Sequence, residues 1–384
     1  MLIVSALWTI SYAGLLLLYR HGWRALPEWH SPPNNLVPSE RVSVVVAARN
    51  EAANIKACLQ SIVEGSYPAH LLEIIVVDDH SDDDTAGIVQ QFSAQHPLLS
   101  VSLLRLARFV SPTTVIFSWK KKAIEIGIAH ALGDVIVTTD ADCEVPKDWV
   151  RLLVSGLGAN RKGVVAPVAF HREHNLLQRF QSLDLLGLMG ITGAGIFYGW
   201  QRMGNGANFA YRKAVFEEVG GFDGNEHLAS GDDMFLLQKI AARWPGGVIF
   251  LKNPSATVFT EAKPDWRSFF QQRLRWGTKN VVLTEWPVRL ALLVVFLFCW
   301  SIWLNFALCV LVFEPVLAWV LLFQISVKAL SDFVFLREMC FFFKRTDLLR
   351  WFVPSFFLHT LYIPIVGTAS LFFKKYEWKG RRVQ

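Results

Sequence analysis

The sequence predicts an α/β domain with a doubly wound, mostly parallel sheet, placed between an N-terminal membrane anchor and C-terminal membrane segments. Three observations lead to this prediction. Short β-branched runs alternate with helical patterns in the middle of the chain, polar clusters follow several of those runs, and long apolar stretches occupy both ends. Strands that alternate with helices are typical of parallel sheets, whose ligands bind beyond the carboxyl ends of the strands.

The apolar residues are concentrated at the ends of the chain. Hydrophobic residues make up 53% of the 384 residues, with 15 Trp and 29 Phe, which is high for a soluble protein. The excess lies in residues 2–18 and in stretches from Leu290 onward, whereas the middle, from about Glu40 to Trp286, has the composition of a globular domain. We therefore expect one domain between membrane segments.

The first apolar run predicts a retained anchor. It is slightly short for a spanning helix, but it lacks a small-residue cleavage site and is followed by aromatic and basic residues at positions 19–24. The basic flank predicts that the domain faces the cytoplasm. We expect the anchor at residues 1–20 and a linker, rich in Pro and Asn, at residues 21–39.

Three apolar stretches near the C-terminus, residues 288–313, 315–334 and 351–373, are candidates for membrane crossing. Three crossings would place the basic tail outside, against the positive-inside tendency. One segment is therefore expected to be re-entrant or to lie in the interface, and the segment that contains Pro354 and Pro364 is the favoured one. The expected boundaries are the α/β domain at 40–263, an interface segment at 264–286, and a transmembrane region with a basic tail at 287–384.

Charge and cysteine content exclude several classes of protein. The net charge of +6 suits a domain that lies against anionic membrane lipids, but no nucleic-acid-binding motif is present, so no nucleic-acid partner is expected. The five cysteines are scattered without CxxC spacing, which indicates buried thiols rather than a zinc site or a disulfide framework. No pattern in the sequence specifies an oligomeric state.

Four β-branched runs define the predicted sheet, and acidic residues follow two of them. The runs are residues 42–46, 72–77, 101–106 and 134–139, and helical patterns follow the first three. The fourth run leads directly into Asp140 and Asp142, which are able to hold a hard divalent cation at the strand end. The alternative is a solvated acidic turn, which is the commoner meaning of an isolated Asp-x-Asp.

The second run ends in another acidic pair, Asp78 and Asp79. An aspartate here is able to accept hydrogen bonds from a ribose or a base. The alternative is an acidic helix start, where carboxylates cap the helix and complement its dipole.

Lys120, Lys121 and Lys122 precede a helical pattern, so that one ammonium could reach a diphosphate near the sheet edge, although a solvated basic face fits equally well. Gly206 and Asn208 lie in a short loop that suits close approach to a sugar, or simply a tight turn.

Asp232 and Asp233 stand at the start of a helical run. They either complement the helix dipole or supply the base that deprotonates a hydroxyl. Residues 271–276, rich in Arg and aromatic side chains, precede the membrane segments. A membrane-surface helix is the plain interpretation, and a platform that stacks on a sugar and holds phosphate is the alternative.

Taken in order, these residues resemble the inverting family 2 glycosyltransferases of GT-A fold, which include cellulose, chitin and hyaluronan synthases and many single-sugar transferases. The resemblance covers residues 42–276, and each matching piece is weak alone but strong in its joint order. The pieces are residues 44–51, 76–82, Lys120-Lys121 with Gly127-Ile128, 138–142, 206–208, 231–233 and 272–276.

The resemblance implies a role for each matching residue. Asp233 would be the general base beside Asp232, and Asp140 and Asp142 would serve Mg²⁺ or Mn²⁺ and the donor. The nucleotide of the donor would contact Ala47, Arg49, Glu51, Asp78, Asp79, Lys120, Lys121 and Asp140, and the acceptor and diphosphate would contact Gly206, Asn208, Gln272, Arg275 and Trp276. A single in-line displacement with inversion is implied.

Two positions depart from the family pattern. Asp232 stands where a glutamate is common, and Trp119 stands where a glycine is common. The first change shortens the neighbour of the implied base, and the second reshapes the approach of Lys120 to the donor.

The expected function is transfer of a sugar from a nucleotide-sugar donor, UDP-linked by preference, to a lipid-linked or other hydrophobic acceptor at the cytoplasmic membrane surface. A processive polysaccharide synthase is the alternative within the same class, supported by the Gln-x-x-Arg-Trp match. A catalytically silent membrane scaffold is the alternative from another class.

Overall fold

The central domain is built on a seven-stranded mixed sheet. The structure is a computed structural model that describes residues 2–30, 38–111, 116, 118–200, 204–224, 231–282, 285–372, 376–378 and 381–383, without the side chains of residues 232, 278–282 and those after 372. The described strands are β1 Val42–Ala48, β2 Leu72–Asp78, β3 Ser100–Arg105, β4 Val135–Asp140, β5 Gly163–Val165, β6 Val168–His171, β7 Phe209–Arg212, β8 Val248–Phe250, β9 Val258–Glu261, β10 Tyr376–Trp378 and β11 Arg381–Val383.

The sheet order is β3-β2-β1-β4-β7-β5-β8. Strands β1 to β4 pair in parallel, β5 pairs in parallel with β8, and β7 runs antiparallel between β4 and β5. Separate two-stranded sheets form from β6 with β9 and from β10 with β11. Strand β2 is buried along its whole length, which explains its β-branched and aliphatic sequence. The predicted doubly wound, mostly parallel fold is confirmed.

Helices cover the sheet and continue into the apolar ends of the chain. They are α1 Leu2–Ala25, α2 Ile55–Val63, α3 Thr85–Gln95, α4 Trp119–His130, α5 Trp149–Leu157, α6 Leu176–Tyr198, α7 Lys213–Glu218, α8 Asp232–Arg243, α9 Trp266–Val282, α10 Trp286–Val312, α11 Pro315–Phe342 and α12 Phe352–Phe372. Among the described residues, five helical segments are long and apolar enough to cross a membrane, namely Leu2–Ala25, Leu176–Tyr198, Trp286–Val312, Pro315–Phe342 and Thr346–Phe372.

Helix α6 is apolar because it lies inside the protein. It packs against α1 and α11 and against the central domain, and most of its residues are buried. Its glycines permit this close packing: a Cβ atom on Gly190 would lie 2.3 Å from the sulfur of Met339 on α11, and one on Gly193 would lie 2.9 Å from the ring of Trp23 on α1. Helix α6 therefore joins the central domain to the C-terminal ends of α1 and α11.

The end of α1 is tied to the central domain by a buried lysine. Helix α1 continues to Ala25, beyond the anchor boundary expected at residue 20. Lys252 donates through Nζ to the carbonyl oxygens of Trp23 and Leu26, at 2.9 and 3.2 Å, and lies over the ring of Trp23. These carbonyls are among those that a helix leaves unpaired at its C-terminus. Burial lowers the pKa of Lys252 from its ordinary value.

Polar side chains are buried between the apolar helices. Lys328 on α11, with no exposed surface, pairs with Asp332 at 2.5 Å, and the hydroxyl of Tyr12 on α1 donates to the same carboxylate. Such pairing is what charged groups need at membrane depth. Lys328 also lies 3.3 Å from Nδ1 of His359 on α12, so this cluster joins three helices.

Helix α12 begins and ends beside the central domain. Before it, Arg345 forms a bidentate pair with Glu173, at 3.0 and 2.9 Å. Its second half lies alongside α9, because the ring of Tyr362 contacts that of Phe269 and a Cβ atom on Gly277 would lie 2.9 Å from Ser370. Strand β10, which follows α12, also lies next to α9. The same segment is long and apolar enough to cross a membrane, so the re-entrant or interfacial placement stays a prediction.

Candidate active site

The carboxyl ends of three parallel strands meet at one edge of the sheet. The register places Ala47 on β1 opposite Val77 on β2 and Asp140 on β4, and it places Ala48 opposite Asp78. Strand β1 lies between β2 and β4, so the chain changes direction across the sheet at this point. Ligands of open α/β sheets bind in the crevice at such a position.

Asp140 and Asp142 form a candidate cation site at the end of β4. A ligand atom from each of them and Sγ of Cys143 lie within 4.8 Å of one another. Nζ of Lys120 lies 2.5 Å from Oδ1 of Asp140. The carboxylate oxygens suit a hard divalent ion such as Mg²⁺ or Mn²⁺. The residues present therefore fit a divalent cation. Lys120 lies close enough to this site to contact an anionic group that the cation binds.

Two thiols lie beneath this acidic turn. Cys58 donates to the carbonyl oxygen of Asp140 at 3.6 Å, and Cys143 lies 3.8 Å from a carboxylate oxygen of Asp142. Burial raises the pKa of both thiols above the ordinary range, and the nearby carboxylates of Asp142 and Asp140 raise it further. Both sulfurs are therefore neutral at physiological pH, and the hard oxygens of the aspartates are the better ligands.

The end of β2 is held to the end of β1 by Arg49. Its guanidinium donates to the carbonyl oxygens of Asp79 and His80, at 2.8 and 2.7 Å. The carboxylate of Asp79 is buried and lies 3.0 Å from Nδ1 of His80. Glu51 is buried nearby, where its backbone N–H donates to Thr85 Oγ1. Arg49, Glu51, Asp78 and Asp79 thus lie together at one corner of the sheet edge, and their contact with a nucleoside stays a prediction.

Asp233 reaches the same edge from the start of α8. Its carboxylate accepts hydrogen bonds from the backbone N–H groups of Gly206 and Met234, both at 2.8 Å. The carbonyl oxygen of Gly206 in turn accepts a bond from Thr138 on β4, at 2.8 Å. The loop before β7 therefore fixes Asp233 near the end of the strand that carries Asp140. The side chain of Asp232 lies outside the described residues.

Two predicted site residues are placed differently from the expectation. Asn208 is fully buried; its amide accepts from Trp149 Nε1 at 2.8 Å and donates to the carbonyl oxygens of Pro167 and Ala256, at 2.7 and 2.8 Å. These bonds use the polar atoms of its amide to join parts of the core, and its contact with an acceptor stays a prediction. Lys121 is buried with its ammonium 5.2 Å from the ring of Phe235, whereas Lys120 reaches Asp140.

The bulky residue Trp119 stands next to His80, which follows the end of β2. Its ring meets that of His80 edge to face, with centroids 5.0 Å apart. The tryptophan at this position therefore forms an aromatic pair with His80, which connects the end of β2 to the start of α4.

Helix α9 carries Gln272, Arg275 and Trp276, which form the Gln-x-x-Arg-Trp motif. Arg273 lies inside this motif, and the sequence patterns gave it no role. Arg273 pairs with Asp184 on α6 at 2.7 Å, and its guanidinium lies 4.5 Å from the ring of Trp276. Oε1 of Gln272 is buried without a hydrogen-bond partner among the described residues. Asp184 is a carboxylate within the long apolar stretch of residues 176–198. This feature of the sequence indicates a buried acid that needs a basic partner.

An α/β fold with acidic residues at the carboxyl edge of its sheet suits a group-transfer enzyme, and comparison with known families identifies the class. The profile of Glycosyl transferase family 2 matches residues 43–220, and that of Glycosyl transferase family group 2 matches residues 135–366. The chain belongs to the family 2 glycosyltransferases.

Relatives and a solved structure extend this comparison. The chain is 29% identical over 293 residues to a probable glycosyltransferase, YdaM, of Bacillus subtilis, covering 73% of this chain and 66% of the relative. It is 29% identical over 266 residues to a beta-monoglucosyldiacylglycerol synthase of Synechocystis, covering 66% of this chain and 51% of the relative. The match therefore spans between half and two thirds of these relatives.

The solved structure is that of the mannosyltransferase PcManGT from Pyrobaculum calidifontis in complex with GDP-Man and Mn²⁺. It aligns with a TM-score of 0.57 at 20% identity, covering 95% of this chain and 99% of that chain. The likeness supports the same fold.

Proposed function

We propose that this chain is an inverting glycosyltransferase that moves a sugar from a nucleotide-diphosphate sugar, UDP-linked by preference, to a lipid-linked or other hydrophobic acceptor. The observation that carries the proposal is the position of Asp233. Its carboxylate is held by the N–H of Gly206, in the loop that is bonded to β4, the strand that ends in Asp140. A base and a cation site at one sheet edge are what sugar transfer requires.

In the proposed mechanism, Asp233 accepts the proton of the acceptor hydroxyl as that oxygen attacks the anomeric carbon. The bond from the anomeric carbon to the diphosphate oxygen breaks in the same step, so the configuration inverts. Asp140 and Asp142 would hold Mg²⁺ or Mn²⁺, which supplies charge stabilisation to the departing diphosphate. Lys120 would contact the diphosphate, and Ala47, Arg49, Glu51, Asp78 and Asp79 would line the nucleoside pocket.

Names of related proteins support a nucleotide-diphosphate sugar as donor, a divalent metal and a lipid acceptor, whereas the preference for UDP comes from the sequence resemblance. One relative is named as a synthase of a glucosyldiacylglycerol, and the solved structure of similar fold contains GDP-Man and Mn²⁺. The apolar helices that adjoin the central domain favour an acceptor that arrives from the membrane.

We propose a cytoplasmic location for the central domain. Arg20 and Arg24 lie at the end of α1 that joins this domain and pair with Glu338 of α11. Arg345 lies at the same end of α11. Basic residues at that end follow the positive-inside tendency.

The assignment of the base is tested by Asp233→Asn in detergent-purified protein. We expect transfer from a UDP-sugar with Mn²⁺ to fall by about 10²- to 10⁴-fold, because the carboxamide does not accept the proton. Binding of UDP with Mn²⁺, measured by calorimetry, should persist. Asp223→Asn, an exposed acid between the loop and α8, serves as the matched control. Unchanged turnover in Asp233→Asn would remove Asp233 from this role.

A processive polysaccharide synthase is the second candidate. The spacing of Gln272, Arg275 and Trp276 favours it, and one relative, 24% identical, is named poly-beta-1,6-N-acetyl-D-glucosamine synthase. Product length separates the two: a ladder of oligomers supports the synthase, and one added sugar supports the single transfer.

A further inference from the structure

Arg273 lies at the junction of α6, α9 and α12. Its side chain is only 4% exposed, and Nη1 lies 2.7 Å from Oδ2 of Asp184 on α6. The hydroxyl of Tyr362 on α12 donates to the same carboxylate at 3.2 Å. The ion pair therefore joins an interfacial helix to two helices that adjoin the membrane.

The other edge of this guanidinium is without a hydrogen-bond partner. Nε and Nη2 of Arg273 are both buried, and neither donates to any group in the part of the chain that the structure describes. A buried donor that lacks a partner is unfavourable, and more so when it is charged. These two atoms carry the parallel N–H bonds with which arginine binds two oxygens of a carboxylate or phosphate.

The surroundings stabilise the charge of Arg273 without supplying these oxygens. The guanidinium carbon lies 5.1 Å from the ring centre of Phe269, 4.5 Å from that of Trp276 and 5.7 Å from that of Tyr362. Aromatic faces attract a cation, but they do not replace an oxygen acceptor in the plane of the guanidinium. The charge of Arg273 is therefore stabilised, but its Nε and Nη2 atoms lack hydrogen-bond acceptors among the described residues.

We propose that the Nε and Nη2 edge of Arg273 binds the phosphate of a membrane lipid. Two adjacent N–H groups match two phosphate oxygens. Asp184 binds Nη1 and so fixes the orientation of the guanidinium. The position next to the apolar helix α12 suits a phosphate that carries a hydrocarbon chain. Assigning that lipid as the sugar acceptor rests on the proposed function, and it makes the acceptor a phosphate-bearing lipid rather than a neutral diacylglycerol.

Because both nitrogen atoms are covered, lipid binding requires the aromatic rings or α12 to move aside. Helices α9 and α12 approach closely at Gly277, where an added Cβ atom would lie 2.9 Å from Ser370.

The test measures binding of hexadecyl phosphate, hexadecanol and inorganic phosphate to the full chain in detergent micelles by microscale thermophoresis. We expect hexadecyl phosphate to bind, and hexadecanol and inorganic phosphate to bind at least tenfold more weakly. Arg273→Lys keeps a cation for Asp184 but removes the paired N–H groups of Nε and Nη2. It should therefore weaken hexadecyl phosphate binding by about 10- to 100-fold. Arg267→Lys, at an exposed position on the same helix, is the matched control and should bind as the wild type does.

Binding of UDP with Mn²⁺ reports on folding in each variant, and the selectivity of the wild type among the three probes is independent of any variant. Equal affinity of Arg273→Lys and wild type for hexadecyl phosphate would overturn the site. If hexadecanol binds as tightly as hexadecyl phosphate, the site does not recognise the phosphate. If inorganic phosphate binds as tightly, the site does not recognise the hydrocarbon chain. If the wild type binds hexadecyl phosphate but no nucleotide, the site stands and the proposed function fails.

Discussion

At the scale of single residues, burial separates side chains that a motif groups together. Gly206 and Asn208 share one loop, yet the N–H of Gly206 binds Asp233 while the amide of Asn208 is bonded within the core. Asn208 joins β7 to the segments that contain Pro167 and Ala256. Its role is therefore to fix the loop that in turn fixes Asp233.

Asn208→Ala should destabilise the protein rather than weaken substrate binding directly. The change leaves Trp149 Nε1 and two carbonyl oxygens without their present partner, so we expect a loss of about 3 kcal/mol. The unfolding temperature in detergent measures it. Asn205→Ala, which removes the bond from Ala207 N–H at the start of the same turn, should cost about 1 kcal/mol. A normal unfolding temperature with a raised KM for the acceptor would instead support Asn208 as a binding residue.

The sequence was sufficient to locate the acidic residues of the candidate site. Asp78 and Asp140 end β-branched runs, and strand ends in a parallel sheet share an edge, so their proximity follows from the pattern. The different surroundings of Lys120 and Lys121 do not follow from it. Consecutive residues on a helix point about 100° apart, and which of them faces the edge depends on how α4 packs on the sheet.

At the scale of elements, long and uniform segments were predictable and short ones were not. The four predicted strands correspond to β1 to β4, which are six or seven residues long. Strands β5, β7 and β8 have three or four residues, too few for a periodicity, and they are held by pairing with strands distant in the chain. Helix α6 was missed because its apolar, glycine-rich sequence matches burial on several sides rather than one face.

Helix α12 shows how a proline inside a helix is compensated. Pro364 has no N–H, so the carbonyl oxygen of Thr360, four residues earlier, lacks its usual helical partner. Trp303 on α10 donates to that oxygen through Nε1 at 3.0 Å. The bond satisfies the carbonyl and attaches α12 to α10 near the middle of both helices.

Trp303→Phe should therefore lower the stability of the protein by about 1–3 kcal/mol, measured as the unfolding temperature in detergent micelles. Trp300→Phe, which removes a longer and exposed bond to Thr368, is the matched control and should cost less.

The variant Pro364→Ala supplies the missing N–H, so Trp303→Phe should cost less in that background than in the wild type. Equal losses in both backgrounds would show that Trp303 acts through packing and not through the carbonyl of Thr360.

At the scale of the whole molecule, the central domain is fixed to the membrane helices at several points. Lys252 holds the end of α1, α6 packs under α1 and α11, and Glu173 binds Arg345 after α11. Burial by itself would raise the pKa of Glu173, but hydrogen bonds from Arg345 and Ser182 outweigh it and hold that pKa below the ordinary value. The pair is therefore fully ionised near neutral pH and weakens only as the pH falls below the ordinary pKa of glutamate.

These attachments favour one arrangement of the apolar helices in a membrane. Helix α1 leads into the central domain, α10 leads away from it, and α11 returns to it, as the pairs of Arg20 and Arg24 with Glu338 show. Helix α12 then starts and ends beside the same domain. We propose three crossings, by α1, α10 and α11, which leave the C-terminal tail on the side of Asp233.

Fusions of a fluorescent protein, which fluoresces only on the cytoplasmic side, and of alkaline phosphatase, which is active only on the opposite side, test this topology in a bacterial host. Fusion after Gln384 should fluoresce, because α12 returns the chain and the basic tail favours the cytoplasm. Fusion after Glu314, between α10 and α11, should show phosphatase activity and no fluorescence. A dark fusion after Gln384 with phosphatase activity would mean that α12 crosses the membrane.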